Sequence, residues 1–313
     1  MKSRYPKSAD PMLLSYFVSG GSVNAGLIRY DMGIDVADFP RAVEVLKDYG
    51  CEFETTGPHS CRLQRSSLQV WQEYLEYIIR IESLAPLSVW VYQETSSTQD
   101  QAKKLAPHRA LVVANQQSAG RGRLDRQWVS APDSSVLMSF SLPMNTASHD
   151  RVSMLAGVAV AKAVESLLPD VDVRLKWPND VIVEGKKLSG ILVEVAQGAF
   201  IIGIGLNVTQ ESVADPVLNM ATCMRHHGSK VDRLRVIERV MVEVDKALRL
   251  ADSSLMLDEW RARAALGQTQ TFEQAGQRIT GEVLDLDPDH GLIVRRDTGE
   301  IVTLPAATTS VVK

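Results

Sequence analysis

Two segments hold residues whose types and spacing could do chemistry. Residues 120–128 read Gly-Arg-Gly-Arg-Leu-Asp-Arg-Gln-Trp. Glycine lets a backbone approach a ligand closely and adopt conformations closed to other residues. Successive backbone N–H groups can then line an anion nest, and arginine adds fixed charge in a forked geometry. The second segment runs Lys176-Trp177-Pro178-Asn179-Asp180 and then Lys187-Leu188-Ser189-Gly190. It supplies a further cation on a strand, with a glycine three residues beyond. Two anion-holding stretches in one domain suggest activation of a carboxylate by a nucleotide.

Composition narrows the setting. A chain of 313 residues has room for two or three domains. The formal net charge is -4, so no global field draws it to nucleic acid or membrane and any anion site must be local. No apolar run approaches the roughly 20 residues of a spanning helix. Leu13–Val18 is too short for a signal-peptide core. Cys51, Cys61 and Cys223 read as reduced thiols of a cytoplasmic protein, with no structural metal site.

The elements that must position these residues follow from periodicity. Leu13, Leu14, Phe17 and Val18 have helical spacing, and Gly20-Gly21-Ser22 stops that helix. Asn24 caps a second helix through Tyr30, ended by Gly33. Asp35 or Asp38 caps a third, carrying Phe39, Val43, Leu46 and Tyr49, with Gly50 as its stop. Phe53–Thr55 and Cys61–Leu63 bracket Gly57-Pro58 as a hairpin. Three helices and a hairpin make a winged helix-turn-helix pattern over residues 1–66. A linker with a helix near Leu68–Ile81 fills 67–88.

From Val89 the pattern changes. Strands are expected at Val89–Tyr92, Ala110–Ala114, Val136–Phe140, Val173–Trp177, Val181–Val183, Ile191–Val195 and Phe200–Ile204. Helices are expected at Gln99–Ala106, Arg151–Leu168 and Asp232–Leu250. Gln197-Gly198 reads as a hairpin turn. This is a mixed α/β domain, 89–266, with a largely antiparallel sheet. Short strands at Thr269–Phe272, Ile279–Asp285, Gly291–Arg295 and Glu300–Leu304 suggest an SH3-like small β-barrel over 267–313. The fold class is α+β.

The two chemical segments, with this three-part layout, resemble the biotin protein ligase family, in particular its bacterial members that combine ligase and biotin-operon repressor. The resemblance is strong over 89–210 and weakest beyond 210. It implies that biotin and ATP, with Mg2+, give biotinyl-5′-AMP. Biotin then passes to a lysine of the biotin carboxyl carrier domain of acetyl-CoA carboxylase or a related carboxylase. It places Ser97, Thr98 and Gln99 on biotin's ureido ring, where the family has Ser-Thr-Asn. Read alone, small hydroxyls at a helix start are caps. Gln99 keeps the amide but lengthens the arm. Gln117 falls where a family glutamine helps seat biotin.

Gly120, Arg121, Gly122 and Arg123 match the loop that orders around the adenylate, with Arg121 and Arg123 offsetting the repulsion between two anions. Leu124-Asp125 departs from the commonest pattern and removes positive charge there. Lys187 matches the lysine that reaches biotin's carboxylate and the α-phosphate, while Lys186 is expected to point outward. Gly190 lets the backbone approach the ligand or marks a bulge. Asn179 and Asp180 are candidates for positioning magnesium or the acceptor lysine; they are also ordinary turn residues. Trp177 reads as core or pocket wall. Asn207 lies beside the nucleotide by resemblance. Residues 215–228 would cover the adenine, and His226 and His227 read as exposed loop histidines.

A repressor role faces an obstacle. From Asp35 to Asp48 the third helix holds two bases, Arg41 and Lys47, against four acids, Asp35, Asp38, Glu44 and Asp48, a net of -2. Groove-reading helices carry donors at their N-terminal end, and phosphate neutralisation dominates affinity. Pro40 also makes the helix start late or bend. DNA stays open as a partner through Arg29, Arg41 and Arg62, and family members dimerise. A lipoate or octanoate ligase is the rival enzyme.

Overall fold

The computed structural model describes residues 10–124, 126–144, 147–213 and 220–312. The N-terminal unit contains α1 (Pro11–Val18), β1 (Val23–Asn24), α2 (Ala25–Met32), α3 (Phe39–Asp48), β2 (Glu52–Gly57) and β3 (Ser60–Arg65). Asn24 Oδ1 accepts the Leu27 N–H at 3.0 Å, and Gly33, at φ 70°, closes α2 as a left-handed cap. Asp38 precedes α3 without a side-chain cap bond, and Pro40 falls in the first turn. A late start satisfies proline, because first-turn N–H groups have no helical partner. Phe17 meets Phe53 edge-on at 5.0 Å and ties α1 to the hairpin. Sequence reading missed β1, a two-residue strand too short to leave a pattern.

Helix α4 (Leu68–Ile81) matches its expected span and leads into the central region. There follow β4 (Ser88–Thr95), α5 (Thr98–Leu105), β5 (Ala110–Gln117), β6 (Ser135–Pro143), α6 (His149–Leu167), β7 (Val173–Lys176), β8 (Asp180–Val183), β9 (Lys186–Ala196), β10 (Ala199–Asn207), α7 (Arg233–Arg249) and α8 (Ser254–Arg261). Among the described residues, seven strands form one sheet in the order β4-β5-β6-β10-β9-β8-β7. Only β4 and β5 pair in parallel, across the crossover helix α5. Gln197 and Gly198, at φ 48° and 74°, make the primed hairpin turn between β9 and β10. On one face, Ala102 of α5 and Ala106, just past its end, pack on Val112, Ala199 and Ile201. Helices α6 and α7 pack on each other and belong to the main core. Helix α8 was missed by sequence reading; its Trp260 meets Trp177 edge-on at 6.4 Å.

The C-terminal region is β-rich: β11 (Thr269–Gln274), β12 (Gln277–Asp287), β13 (Gly291–Arg296), β14 (Ile301–Leu304) and β15 (Thr309–Val311), in the order β14-β13-β12-β11-β15. Phe272, Val283, Leu292, Val294 and Leu304 form its buried centre. It is keyed to the central region by polar contacts. Arg151 forks onto Asp289 at 2.9 and 2.6 Å, Arg261 forks onto Asp285 at 2.8 and 2.6 Å, and the Ala306 N–H donates to Asp150 Oδ1 at 2.7 Å. The N-terminal side is keyed through α7. Asp232 accepts from Ser66 N at 2.8 Å and Ser66 Oγ at 2.5 Å while capping Leu234, and Tyr74 donates to Glu238 at 2.6 Å. No described helix is long and apolar enough to cross a membrane.

Candidate active site

A cavity of about 450 Å³ opens on the α5 face of the sheet. Its floor follows from strand register. Ser139, Gly203 and Leu192 form one row across β6, β10 and β9, and Leu137, Gly205, Gly190 and Asp180 form a parallel row. Successive side chains on a strand alternate faces, so both rows look the same way.

The N-terminus of α5 closes one end. Ser97 caps Gln99 N at 3.2 Å. Gln117 Oε1 accepts from Thr98 N at 2.7 Å and from Thr98 Oγ1 at 3.0 Å. Thr98 Oγ1 lies 2.8 Å from Ser139 Oγ, which donates to Gln99 Oε1 at 3.1 Å. The longer arm of Gln99 reaches the sheet, donating to Leu192 O at 3.3 Å and Ile201 O at 3.1 Å. Gly203 makes room for it: a Cβ there would lie 2.5 Å from Gln99 Oε1. The result is a chain of neutral donors and acceptors at one end of the pocket.

The glycine-arginine loop forms the opposite wall. Gly122 N donates to Arg126 O at 2.8 Å and Trp128 N to Gly120 O at 3.0 Å, so the loop is a small hairpin. A Cβ on Gly120 would sit 2.3 Å from Trp128 O, a backbone atom that cannot yield. The Trp128 indole lies on the cross-strand pair Gly190–Gly205, where added Cβ atoms would approach it to 3.1 and 2.5 Å. Sequence reading noted this tryptophan only as a flank of the loop.

Lys187 and Gly190 are three residues apart, which in a regular strand puts them on opposite faces. The β8–β9 register jumps from Val181↔Ser189 to Ile182↔Lys187, leaving Leu188 as a bulge. The bulge turns Lys187 onto the Gly190 face, and a Cβ on Gly190 would touch its ammonium at 2.9 Å. Lys187 Nζ pairs with Asp180 Oδ1 at 2.6 Å and sits 5.7 Å from the Trp128 ring centre. Its backbone is clamped by Met220 O and Thr222 N, both at 2.9 Å. Lys187 lines the cavity; Lys186 is not among the lining residues. Asn179 donates to Ile191 O and accepts from Arg123 NH1 at 3.3 Å.

Both loop arginines expected to face an anion are engaged by the protein. Arg121 gives NH1 to Asp100 Oδ1 at 2.6 Å and NH2 to Glu194 Oε1 at 2.7 Å. Partial burial lowers its pKa, but the two carboxylates outweigh this and the net shift is upward. Arg123 gives NH2 to Ala306 O and, at 2.8 Å, to Thr309 O, and burial pushes its pKa down. Of the other expected site residues, Ser97, Thr98, Gln99, Gln117, Gly122, Asn179, Asp180 and Gly190 line the cavity. Gly120 and Asn207 do not. Asn207 instead donates to Thr222 O at 3.0 Å, fixing the chain that clamps Lys187. His226 is exposed as expected, but His227 is not: its side chain is 8% exposed and its Nε2 lies 2.9 Å from Thr222 Oγ1. Asp125 and residues 215–219 of the expected adenine cover lie outside the described residues.

Sequence reading missed several lining residues. Ser139 sits inside the expected strand Val136–Phe140, where a hydroxyl among buried apolar residues was a usable signal. Arg126 lines the cavity, and among the described residues no ion pair engages it. Glu273, Ser310, Val311 and Val312 reach the cavity from the C-terminal region, and nothing local in their sequence marks them.

The site is thus a pocket on a mixed sheet with one crossover helix, neutral at one end and lined by basic residues at the other. Residues 91–210 match the biotin/lipoate A/B protein ligase family. The chain is 31% identical over 250 residues to the bifunctional ligase/repressor BirA of Bacillus spizizenii, covering 75% of this chain and 74% of that protein. It is 34% identical over 207 residues to the biotin–[acetyl-CoA-carboxylase] ligase of Mycobacterium tuberculosis, covering 63% and 76%. Among solved structures it resembles the Aquifex aeolicus biotin protein ligase in complex with biotin and ATP, with TM-score 0.65, 26% identity, and 72% and 98% of the two chains covered. This chain belongs to the biotin/lipoate protein ligase family.

Proposed function

We propose that this chain is a biotin–protein ligase that uses ATP to convert biotin to biotinyl-5′-AMP and transfers the biotinyl group to a carrier-domain lysine of a biotin-dependent carboxylase. The observation that carries this reading is the polarity of one cavity. One end is the neutral chain Thr98–Gln117–Ser139–Gln99, and the other holds Lys187. A ureido ring can exchange hydrogen bonds with both the donors and the acceptors of this chain, whereas the dithiolane of lipoate or the methyl end of octanoate offers it none of comparable strength. The polar floor therefore supports biotin over the rival acids.

In the first half-reaction a carboxylate oxygen of biotin bonds to the α-phosphorus and pyrophosphate leaves. Lys187 is the residue we assign to the charge that moves from carboxylate to phosphate; a compact ammonium on a flexible stem can follow it. Backbone N–H groups of the loop at Arg121 and Arg123, which line the cavity, are assigned to the anions as well; that of Gly122 is taken by Arg126 O. In the second half-reaction the acceptor lysine loses one proton to solvent to become the free amine, its nitrogen bonds to the acyl carbon, AMP leaves with the bonding electrons, and a second proton is lost to solvent, leaving the amide N–H. Asp180 suits a Mg2+ brought by ATP: its carboxylate lines the cavity with Lys187 as its ion-pair partner, and magnesium commonly takes one or two carboxylates beside substrate phosphates. When bound, that ion would offset phosphate charge. Asn179 shares its turn and is assigned to the same region or to the acceptor lysine.

We assign residues 1–66 to a winged helix-turn-helix unit, 67–88 to a linker, 89–266 to the catalytic domain and 267–313 to an SH3-like barrel. A second reading, operator binding by a homodimer, draws on relatives named ligase/repressor. The charge pattern argues against it. Arg29 pairs with Asp35 at 3.5 Å, Lys47 with Glu44 at 3.1 Å and Arg62 with Glu54 at 3.7 Å, so local acids offset the bases a phosphate would need. We favour a packing or partner role for this unit; a gel shift with upstream DNA that responds to the adenylate would reverse that preference.

The test of the main reading is transfer of labelled biotin to a carrier domain with MgATP, beside Lys187→Ala. Removal of one preorganised charge is expected to cost about 10²–10³-fold in rate. Label transferred by the parent and lost in the variant supports the ligase and its lysine. Lipoate transferred in place of biotin moves the assignment to the rival acid.

A further inference from the structure

We propose that Asp100 and Glu194 are positioning residues of this ligase: with Arg121 they form an ionic latch that fastens the glycine-arginine loop at Arg121 to α5 and β9. The inference rests on the ligase reading for its kinetic consequence and on geometry alone for its structural one. Arg121 has two terminal nitrogens, and each is committed, one to Asp100 at 2.6 Å and one to Glu194 at 2.7 Å. Asp100 lies in the first turn of α5, where the helix dipole favours a carboxylate. Glu194 lies on the α5 face of β9, two residues beyond Leu192 of the cavity floor. The latch therefore fastens the loop to both the helix and the strand that build the pocket. Lys103 shares the same Glu194 oxygen at 3.0 Å.

Two cations and two carboxylates sum to zero, so this cluster adds no net attraction for a phosphate. Arg121 thus differs from Lys187 in kind. Lys187 faces the cavity with a single carboxylate partner, whereas Arg121 is satisfied at the rim. The loop has two further fastenings, Trp128 on the Gly190–Gly205 pair and Arg123 on the carbonyls of Ala306 and Thr309. Each partly exposed ion pair is individually weak, which suits a latch that must open for ATP to enter and AMP to leave.

The experiment uses the full chain and the isosteric variants Glu194→Gln and Asp100→Asn, with Arg121→Met and the double variant Arg121→Met/Glu194→Gln. Hydrogen exchange of amides 120–128 is measured without ligand, and biotinyl-AMP formation and release are measured in single turnovers. Each single variant is expected to speed loop exchange and adenylate release about three- to tenfold, as the loss of one or two weak ion pairs implies. In Glu194→Gln and Asp100→Asn, adenylate formation at saturating ATP stays near the parent rate. The double variant should match Arg121→Met, because partners in one contact are not additive. Unchanged loop exchange in Glu194→Gln overturns the latch. So does a formation rate in Arg121→Met far below that of Glu194→Gln, since Arg121 would then act on the anion. Loop exchange needs no catalysis, so the absence of biotinyl-AMP in every variant would count against the ligase reading alone.

Discussion

Gly205→Ala isolates the contact between the loop and the sheet. A Cβ on Gly205 would stand 2.5 Å from Trp128 Cε2 and 2.7 Å from Cδ2, which is 0.9 Å inside the 3.4 Å at which ordinary contact begins. Strand β10 cannot give, because β6 pairs with it on one side and β9 on the other. The indole must lift by about the same distance, in the manner of an overpacked core site that costs about 1–3 kcal/mol. Trp128 belongs to the loop, so the cost falls on loop closure and leaves the global core intact. The lifted ring also drags the Trp128 N–H from Gly120 O and withdraws the surface facing Lys187. A misplacement of this size at reacting groups costs on the order of 10²-fold in rate. The assay is single-turnover biotinyl-AMP formation, with tryptophan fluorescence reporting the ring's exposure and thermal unfolding reporting the fold. The expected result is a slowed first half-reaction, a more solvated tryptophan and a nearly unchanged melting temperature. Gly190→Ala is the internal comparison: its nearest neighbour is the far end of Lys187 at 2.9 Å, a flexible group that can yield, so the loss should be smaller. Equal rates for the parent and Gly205→Ala, or a greater loss at Gly190, would refute the assignment of Trp128 as the loop's seat.

Two further outcomes concern the flanking regions. Asp232→Ala removes the cap of α7 and leaves the Ser66 N–H, part-buried, without its acceptor; from a lost cap and an unsatisfied donor, unfolding free energy should fall on the order of 2–4 kcal/mol, read by denaturant melts. Asp285 and Asp289 are held below their ordinary pKa of 3.8 by Arg261 and Arg151 respectively, more strongly than desolvation raises them. A depressed folded pKa gives stability that is present above 3.8 and lost as pH falls through the folded value. The C-terminal region should therefore loosen from the central domain below about pH 4 before the α6–α7 core unfolds, seen as earlier exchange of amides 269–311 on acidification.

The legible parts of this fold are those with a local cause. Asn24 and Gly33 bound α2 because a cap and a left-handed glycine act within a few residues. Leu68–Ile81 was readable to the residue because its apolar stripe is long and its Ser67 cap sits beside it. Lys187 was readable from its motif, but the reason it faces the cavity was not. That reason is the bulge at Leu188, a property of two strands in register. Arg121 and Arg123 were recognisable as loop cations, yet their partners lie 21 and 73 residues away for one, and 56, 183 and 186 for the other. The C-terminal lining residues were invisible for the same reason: only tertiary docking brings Ser310 and Val311 to a wall built from residues 97–205.

The distribution of charge around the cavity has a consequence for the order of events. Arg121 and Arg123 are committed to protein groups, so among the assigned cations Lys187 is the one that can change partners without unfastening the loop. At rest it is bound by Asp180 at 2.6 Å. In the proposed reaction an incoming carboxylate or phosphate competes with Asp180 for the same ammonium. Each anion that draws Lys187 away leaves the Asp180 carboxylate, only 24% exposed, uncompensated. A poorly solvated carboxylate without a partner is costly, and a cation relieves that cost. A magnesium ion arriving with the triphosphate, or an acceptor lysine approaching the finished adenylate, is such a cation. In the proposed reaction the Lys187–Asp180 pair thus couples capture of the anion to recruitment of a cation, an acceptor lysine drawn in this way still having to lose its proton before it attacks, and Asp180→Asn should weaken that recruitment while leaving biotin binding at the neutral end intact.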